Sequence, residues 1–554
     1  MRKICFSVFS ILAVASLGGE PQASKAYHRY PAKENEIVIF NCEDYIDEEL
    51  IAEFEEEYQC KVNYYTYDTN ETMYNQFTLQ PEGTYDLICA SDYMVQRMIR
   101  EGLVEPIDIA TECPVYNQFT DPHSGVREKL ASMQVDTDGD GLKDASLDQY
   151  AVGYMWGTLG IIYDPLYKDA SEDVHSWNIF WNEKYKNVIS IKNSMRDTFV
   201  VGLMHAYNTL NERKEKEDLS KAEMAFIDAV EKAVVEGDIS KTIQNIFDLV
   251  LTVEDYAPIL EVVKEELIAL KKNIFGFEVD SGKNDIITGK IKMNLAWSGD
   301  AVYSIDEGAA VGKILEYYVP DEGSNVWYDG WTLPKGANRD LACKFLDFIS
   351  DPERAARNMD YIGYTSFISG ADVFDFVAYK YGVVDYHEDA FYYGPYEDEE
   401  TGEMVDGSVV FYQDKYYRCI QESEEYPAPT DTTYWEEIEA PELGNDYDLS
   451  YIFSPFFENE RSAIIHPFLE AENQLYTQYP DEETLKRCAV MNDFEKANDD
   501  VIIMWGQLRA YTNMVPYYVI LSTAVVVMLT FALYRFIKKE KSSRNKRRLS
   551  KMKA

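Results

Sequence analysis

The first hundred residues of the chain alternate between apolar runs and amphipathic segments. The segments "EIVIFN", "KVNYYTY" and "YDLICAS" have the residue types of strands, and "DEELIAEFEEEYQ", "NETMYNQFTL" and "DYMVQRMIREG" have helical spacing. In the first of these helices one face carries Leu50, Ile51, Phe54 and Tyr58. This alternation predicts an α/β fold with a parallel sheet covered by helices. In such sheets ligands bind beyond the carboxyl ends of the strands.

The alternation continues after a loop at 111–150 that is rich in Asp, Gly and Pro. The apolar run "YAVGYMWGTLGIIYDP" predicts more strand and a crossing into a second lobe, with hinge crossings near 150–156 and 316–320. Residues 203–275 have a strongly helical pattern. The segments "KIKMNLAWSGDAV", "KILEYYVP", "VWYDGWTLP" and "RDLACKFLDFISD" then restore the α/β alternation. The main domain is therefore predicted over 27–371.

A stretch of different character follows at 372–446. It is rich in Tyr and Glu and has short alternating runs with turns at Asp406-Gly407 and Gln413-Asp414, which predicts a small β insert. Helices are expected again from about 458 to 512, so residues 447–513 are predicted to return to the main domain.

The two ends of the chain predict an anchored extracellular protein. Residues 1–26, with a basic start and a 14-residue apolar run, are typical of a secretory signal. The uncharged segment Val515–Tyr534 has the length that a membrane span needs, so 514–537 is predicted as a transmembrane helix. The basic tail 538–554 is then cytoplasmic by the positive-inside rule. This predicts a single-pass cell-membrane protein whose bulk is extracellular or periplasmic.

Composition excludes some classes of function. The net charge of −46 over 554 residues argues against nucleic acid as a partner, because phosphate binding needs a basic surface. The six histidines, and the absence of Gly-x-Ser-x-Gly, His-Glu-x-x-His and phosphate-loop motifs, argue against an enzyme. The eight cysteines include no Cys-x-x-Cys pair, and we interpret them mainly as small buried residues.

The segment "DTDGDGLKD" has the residue pattern of a calcium loop. Positions 1, 3, 5 and 9 are filled by Asp136, Asp138, Asp140 and Asp144. Gly141 at position 6 permits the sharp turn, but position 12, where a bidentate Glu is expected, is Leu147. We expect no cofactor for function and predict structural Ca²⁺ that holds a loop. The alternative is a solvated acidic turn.

Several motifs resemble one family in the same order along the chain. These are "IFNCEDYIDEELIAEFEEEYQCKVNYYTYDTNETMYNQF", "YDLICASDYMVQRMIREGLVEPID", "YMWGTLGIIYD", "LAWSGDA", "NVWYDGWTLPKGA" and "YIGYTS". They are similar to bacterial spermidine/putrescine-binding proteins of ABC importers. The resemblance implies a two-lobed type II periplasmic-binding-protein fold with polyamine held between the lobes. It also implies an ABC permease and its ATPase as partners.

The resemblance implies a set of ligand-binding residues. These are Asp44, Tyr45, Ser91, Tyr93, Asp197, Trp297, Trp327, Asp329 and Tyr364. The neighbouring acids Glu43 and Asp92 are added to the predicted site, because they could compensate for contacts that the family has and this chain lacks. The chain departs from the family pattern at three positions. Cys42 stands where the family has tryptophan, Ser194 where it has aspartate, and Met491 where it has glutamine.

These residue types suit a polyamine. Each ammonium has three donors and no acceptor, so carboxylates must meet it. Aromatic faces cover the methylenes and attract the charge, at about 0.5–2 kcal/mol per well-placed ring. Because of the departures at Cys42 and Ser194, we predict a cationic amine as the ligand and not spermidine in particular. The alternative for each aromatic residue is ordinary core packing.

The insert has its own resemblance, over about 35 residues. Its sequence is similar to the small carbohydrate-binding module of chitinases, through Gly407, Val410, Tyr412, Tyr417, Cys419, Pro429 and Trp435. A cell-wall polysaccharide is therefore a further candidate partner. The leading hypothesis is a membrane-anchored extracellular substrate-binding subunit of a polyamine importer. The alternative is a surface adhesin or cell-wall carbohydrate-binding protein that uses the lobes as a scaffold.

Overall fold

The structure is a computed structural model. It describes residues 35–511, except for 124, 139–141, 214–218, 398–401, 403, 424–426 and 458–460, together with Thr530. The predicted signal, the membrane segment apart from Thr530 and the basic tail lie outside these residues. Within the described part of the chain, no helix combines the length and apolarity that crossing a bilayer requires. The membrane segment therefore stays a prediction.

The strands are spread along the described chain, and most are short apart from β7 and β12. They are β1 (Glu36–Cys42), β2 (Lys61–Tyr67), β3 (Leu87–Ser91), β4 (Val104–Glu105), β5 (Gln134–Val135), β6 (Ala145–Ser146), β7 (Ala151–Tyr163), β8 (Ile189–Lys192), β9 (Gly276–Glu278), β10 (Met293–Trp297), β11 (Glu316–Tyr318), β12 (Ser324–Pro334), β13 (Thr365–Ser366), β14 (Gly382–Asp385), β15 (Tyr396–Glu397), β16 (Met404–Val405), β17 (Val409–Tyr412), β18 (Lys415–Cys419), β19 (Trp435–Ile438), β20 (Tyr447–Asp448), β21 (Ile464–Pro467) and β22 (Cys488–Ala489).

The α-helices alternate with these strands. They are α1 (Glu48–Tyr58), α2 (Asn70–Thr78), α3 (Asp92–Arg100), α4 (Ile109–Glu112), α5 (Pro114–Gln118), α6 (Gly125–Ser132), α7 (Ala170–Asp173), α8 (Met195–Arg213), α9 (Lys221–Ala233), α10 (Ile239–Phe247), α11 (Leu249–Thr252), α12 (Ala257–Lys271), α13 (Ser281–Ile287), α14 (Ser298–Ala310), α15 (Arg339–Ile349), α16 (Pro352–Ile362), α17 (Ala371–Tyr381), α18 (Ser450–Phe453), α19 (Glu472–Gln478), α20 (Glu482–Lys486) and α21 (Asn498–Ala510).

The described chain divides into two compact units. The first unit holds the described residues up to Thr158, Trp297–Asp306 and Val326–Leu485. The second holds Leu159–Ala296, Glu307–Asn325 and the described residues from Lys486. The chain therefore passes from one unit to the other within β7, near the end of β10, within α14, within β12 and near the end of α20. The predicted two-lobed α/β organisation is present.

The first unit is built on the sheet order β2-β1-β3-β12-β7. Strands β1, β2 and β3 are parallel, as the alternation predicts, and β12 is antiparallel to both β3 and β7. Helix α1 begins where Asp47 accepts from the N–H of Glu49 (2.9 Å), and α2 begins at the cap residue Thr69. Phe54 of α1 is fully buried.

The second unit has its own parallel strands. Strand β8 pairs in parallel with β9 and β10, and β11 pairs in antiparallel with the end of β7. The expected helical stretch 203–275 consists of the end of α8 followed by α9 to α12. Apolar side chains of this stretch, among them Val263 and Leu267, are buried.

A separate sheet forms within 382–467 of the first unit. Its order is β19-β18-β17-β14-β21-β20. The turn predicted at Gln413-Asp414 joins β17 to β18, and both residues have positive φ (50° and 61°), as a two-residue hairpin requires. The sheet continues past residue 446, because β21 returns to pair with β14. The predicted stretch from 458 to 512 therefore contains strand as well as helix.

Replacing Phe54 by alanine should destabilise the first unit strongly. The ring lies 4.6–5.3 Å from the rings of Tyr58, Phe345 and Phe348, so truncation leaves a cavity. We expect a loss of about 3–5 kcal/mol in the free energy of unfolding, measured by urea titration with circular dichroism. Leu79→Ala, at an 83% exposed side chain, is the control and should change it by under about 0.5 kcal/mol. Equal effects of the two variants would contradict this account of the core.

Candidate functional site

The predicted site residues come mainly from the ends of strands in the first unit. Tyr45 follows β1, Ser91 ends β3, Trp297 ends β10, and Trp327 and Asp329 lie in β12. Tyr364 also belongs to this unit, whereas Asp197 lies in the second unit, in the first turn of α8. The strand ends meet because β12 lies beside β3, with Asp329 opposite Ser91.

Asp329 and Tyr45 form the first polar pair of the site. The buried Tyr45 hydroxyl donates to Asp329 Oδ2 at 2.8 Å. Asp329 lies where the β12–β7 register shifts between Tyr328 and Gly330. Such irregularities re-aim side chains at functional sites. Asp44 precedes Tyr45 with a φ of 51° and is exposed in the turn, as is Glu43.

Tyr364 and Asp300 form a second pair of the same kind. The Tyr364 hydroxyl donates to Asp300 Oδ1 at 3.0 Å. Asp300 lies in the first turn of α14, directly after β10, where a carboxylate also faces the positive end of the helix dipole. Asp300 was not among the predicted site residues. It lies in the motif "AWSGD", of which only the tryptophan is predicted to bind the ligand.

Aromatic rings pack around the two tyrosines of these pairs. The ring of Tyr364 lies 5.5 Å from Tyr45 and 5.3 Å from Trp327, edge-on to both. Two glycines make this packing possible. A Cβ at Gly157 would lie 2.7 Å from the Trp327 ring, and one at Gly299 would lie 2.4 Å from the Tyr364 ring. The small residues of "MWGTLG" and "WSGD" therefore admit large rings.

Burial keeps both tyrosines protonated. It raises the pKa of Tyr45 well above its usual value, and the charge of Asp329 raises it further. The pKa of Tyr364 is raised in the same way, first by burial and then by Asp300. Each hydroxyl is therefore a neutral donor to a carboxylate, and the pairs carry negative charge only on the aspartates.

Cys42 lies close to both carboxylates. Burial, with the charges of Asp329 and Asp300, raises the pKa of its thiol to about 12. The thiol is therefore neutral at physiological pH and does not add a third negative charge. It stands at the position where the family resemblance implies a tryptophan, so this wall of the site is smaller and less aromatic.

The predicted residues at the end of β3 are engaged in holding the fold. The carboxylate of buried Asp92 accepts from the N–H groups of Tyr93 (2.5 Å) and Tyr328 (3.1 Å). Ser91 Oγ accepts from Asn70 (3.0 Å), and the Tyr93 hydroxyl donates to a glutamate of α2 (3.0 Å). These contacts join α2, α3 and β12. A ligand-binding role for the three residues stays a prediction.

The candidate calcium loop is only partly described, since Asp140 lies outside the described residues. Asp144 accepts from the Thr137 N–H (3.0 Å) and hydroxyl (2.8 Å), which lowers the pKa of Asp144. The Asp138 N–H donates to Asp136 Oδ1 (3.2 Å). Over the part of the chain with described coordinates, no group of three or more His, Cys, Asp or Glu side chains is placed to hold a metal ion.

The motif residues of the insert lie mostly in its core. Trp435 is 1% exposed, and its indole N–H donates to the Pro427 carbonyl (3.0 Å). Val410, Tyr417 and Cys419 are also buried. These four residues therefore pack in the core of the insert. The ring of Trp435 is not exposed and so cannot stack on a sugar.

Comparison with known families decides the class of the protein. The family described as bacterial extracellular solute-binding protein matches residues 49–378, which is more than half of the chain. The chain belongs to this family. The match covers most of the predicted resemblance, and it contains every predicted ligand-binding residue except Glu43, Asp44 and Tyr45.

Individual relatives have polyamine-binding names. This solute-binding protein is 26% identical over 337 residues to the spermidine/putrescine-binding periplasmic protein of Salmonella typhimurium, covering 60% of this chain and 78% of the relative. It is 25% identical over 341 residues to the putrescine-binding periplasmic protein PotF of Escherichia coli, covering 60% and 78%. The solved structure of PotD from Streptococcus pneumoniae has 26% identity and a TM-score of 0.42, covering 60% of this chain and 83% of that one.

The family membership confirms two expectations. Its members are substrate-binding proteins of ABC transporters, so the chain belongs to a family of binding proteins and not of enzymes. The resemblance noted in the sequence motifs is likewise confirmed for the solute-binding part. The resemblance of the insert to a chitinase module stays a prediction.

The thiol of Cys42 should react slowly in the folded solute-binding protein. At about pH 9 an ordinary thiol is largely thiolate, whereas one with a pKa of about 12 is not, so iodoacetamide labelling should slow by on the order of 100-fold on folding. Peptide mass spectrometry over time measures the rate. Asp329→Asn removes a charge that raises this pKa and should speed the labelling. Equal rates in folded and urea-unfolded protein would contradict the assignment.

Proposed function

We propose that this protein is the extracellular substrate-binding subunit of an ABC importer for a cationic amine, such as spermidine, putrescine or a related polyamine. The observation that carries the proposal is the pairing of two carboxylates with three aromatic rings in the first unit. Asp329 and Asp300 each accept from a buried tyrosine, and Trp327 packs against one of those tyrosines.

This arrangement has the chemistry of a cation site. A tyrosine hydroxyl occupies one position on each carboxylate, and a carboxylate can accept several hydrogen bonds, so each can also receive an ammonium donor. The rings of Tyr45, Tyr364 and Trp327 supply apolar area for methylenes and a negative face for charge. The neutral Cys42 thiol leaves the negative charge on the two aspartates.

The relatives support an amine in particular. The Salmonella protein is named for spermidine and putrescine, and the E. coli PotF protein for putrescine. At about 25% identity, and with a cysteine in place of an aromatic wall, the ligand of this chain need not be the same polyamine. We therefore propose the class of cationic amines, with the carboxylates Asp329 and Asp300 as its principal contacts.

The anchor and the transporter partner form part of the same proposal. The apolar segment Val515–Tyr534 would hold the binding unit at the outer surface of the membrane. Tethering raises the effective concentration of a binding protein near its membrane partner without any new contact. The expected partners are an ABC permease and its ATPase.

Removing either carboxylate charge should weaken amine binding. Asp329→Asn and Asp300→Asn each retain a hydrogen-bond acceptor but lose the charge, and we expect the Kd for putrescine or spermidine to rise about 10- to 100-fold. Isothermal titration calorimetry on the full chain measures the affinity. Asp340→Asn is the matched control, because that side chain is 82% exposed and pairs with Lys344 outside the site. It should leave the Kd unchanged.

The same titrations decide between the proposal and the adhesin alternative. Unchanged affinity in both aspartate variants would show that the amine site lies elsewhere. No heat with any amine, together with binding of the wild-type chain to peptidoglycan or chitin, would favour a cell-wall carbohydrate-binding protein. Since Trp435 is buried, such binding would have to use other residues of the insert.

We also propose that the loop holding Asp136, Asp138, Asp140 and Asp144 binds Ca²⁺ as a structural ion, on the basis of its residue spacing. The melting temperature should then rise with Ca²⁺ and fall with chelator, because a ligand that binds only the folded state stabilises it. Differential scanning calorimetry measures this. Asp138→Asn should reduce the shift, and an identical melting temperature with and without Ca²⁺ would favour the solvated acidic turn.

A further inference from the structure

Helix α15 is held against the α4–α5 segment at two places. At the start of α15, Arg339 Nη2 donates to Glu112 Oε2 at 2.6 Å. Two turns further on, Asp347 Oδ1 accepts from the N–H groups of Val115 (2.8 Å) and Tyr116 (3.3 Å) at the start of α5. Both contacts lie within the first unit.

Two cysteines lie between these contacts. Cys113 separates Glu112 from α5, and Cys343 is four residues from both Arg339 and Asp347, on the same face of α15. Because Glu112 and Val115, on either side of Cys113, contact Arg339 and Asp347, on either side of Cys343, the fold brings the two thiols next to one another. Cys113 is 0% exposed and Cys343 is 6% exposed. Both are thiols in this structure.

We propose that Cys113 and Cys343 form a disulfide in the mature protein, which joins the α4–α5 segment to α15. This inference rests on the extracellular location that is part of the proposed function, because structural disulfides persist in oxidising compartments. The flanking contacts hold the two backbones in register on either side of the thiols. The pair is therefore brought together by the fold and not by sequence proximity.

The bond forms by thiol–disulfide exchange. The thiolate of one of the two cysteines attacks one sulfur of a disulfide-bearing oxidant and displaces its other sulfur as thiolate. The thiolate of the second cysteine then attacks the first cysteine and releases the remaining sulfur of the oxidant. One S–S bond forms in the protein, the oxidant is reduced to two thiols, and the two cysteine protons end on those thiols.

The burial of both residues determines when this happens. A thiol with almost no exposure is inaccessible to an oxidant in the folded state, so the bond forms during folding. The cross-link would close a loop that contains the whole segment Leu159–Ala296 of the second unit. Closing a long loop restricts the unfolded chain, so the bond should stabilise the first unit and resist reduction until the protein unfolds.

Peptide mapping of the full chain, purified from the membranes of producing cells, tests the proposal. The protein is unfolded in guanidinium with an alkylating agent and without reductant, and then digested. We expect the peptides with Cys113 and Cys343 to be joined and to separate on reduction. Cys89 and Cys488, which are equally buried, should be alkylated and serve as internal controls.

The variant Cys113→Ser sharpens the test. In this variant Cys343 should become alkylated, while the alkylation of Cys89 and Cys488 stays the same. Its melting temperature should be lower than that of the wild type. The decrease should equal that seen when the wild-type protein is unfolded, reduced and then refolded. Alkylation of both Cys113 and Cys343 in the wild type would overturn the proposal, as would Cys343 joined to a different cysteine.

Amine titration of the same samples separates this inference from the proposed function. Cys113→Ser changes no residue of the amine site, so its Kd should equal that of the wild type. A linked pair in a protein that binds no amine would leave the disulfide standing and remove the function. Amine binding by a protein in which Cys113 and Cys343 are both free thiols would support the proposed function and overturn the disulfide.

Discussion

The pairing of β12 with both β3 and β7 is the constraint on which the first unit depends. β12 comes after the middle of the chain, yet it lies in the sheet between strands from the first third of the sequence. Its backbone hydrogen bonds place Asp329 opposite Ser91 and Trp327 opposite Gly157. Because one residue of slippage would turn every side chain to the other face, this register decides which residues share the site.

The electrostatics of the site follow from that register. Each of the two carboxylates is oriented by a tyrosine whose own ionisation is suppressed by burial. The hydroxyls therefore orient the acids without neutralising them. The replacement of a family tryptophan by Cys42 changes the wall but adds no charge, since burial, together with the same carboxylates, holds that thiol protonated. This combination suits a cation better than an anion or a neutral sugar.

Local rules predicted the elements of the fold well. The first three strands and helices lie where the apolar periodicity placed them, and the hairpin at Gln413-Asp414 has the backbone that its residues favour. The family motifs led to Asp329, Tyr45, Trp327 and Tyr364, which the structure brings together. Asp300 was missed, because a short acidic motif gives no sign of which member faces the site. Asp92 has its carboxylate bonded to two backbone N–H groups, which a sequence pattern cannot distinguish from a free acid.

The sequence by itself determined the alternation of strands and helices, the family, and the types of residue available for a cation, because these depend on local spacing and composition. Only the tertiary structure decided which acids are paired with tyrosines, which motif residues are core, and that Cys113 and Cys343 meet. Those outcomes depend on contacts between different segments of the chain, such as Tyr45 with Asp329, which are 284 residues apart, and Tyr364 with Asp300, which are 64 apart. They are fixed by strand register and helix packing, which no local pattern contains.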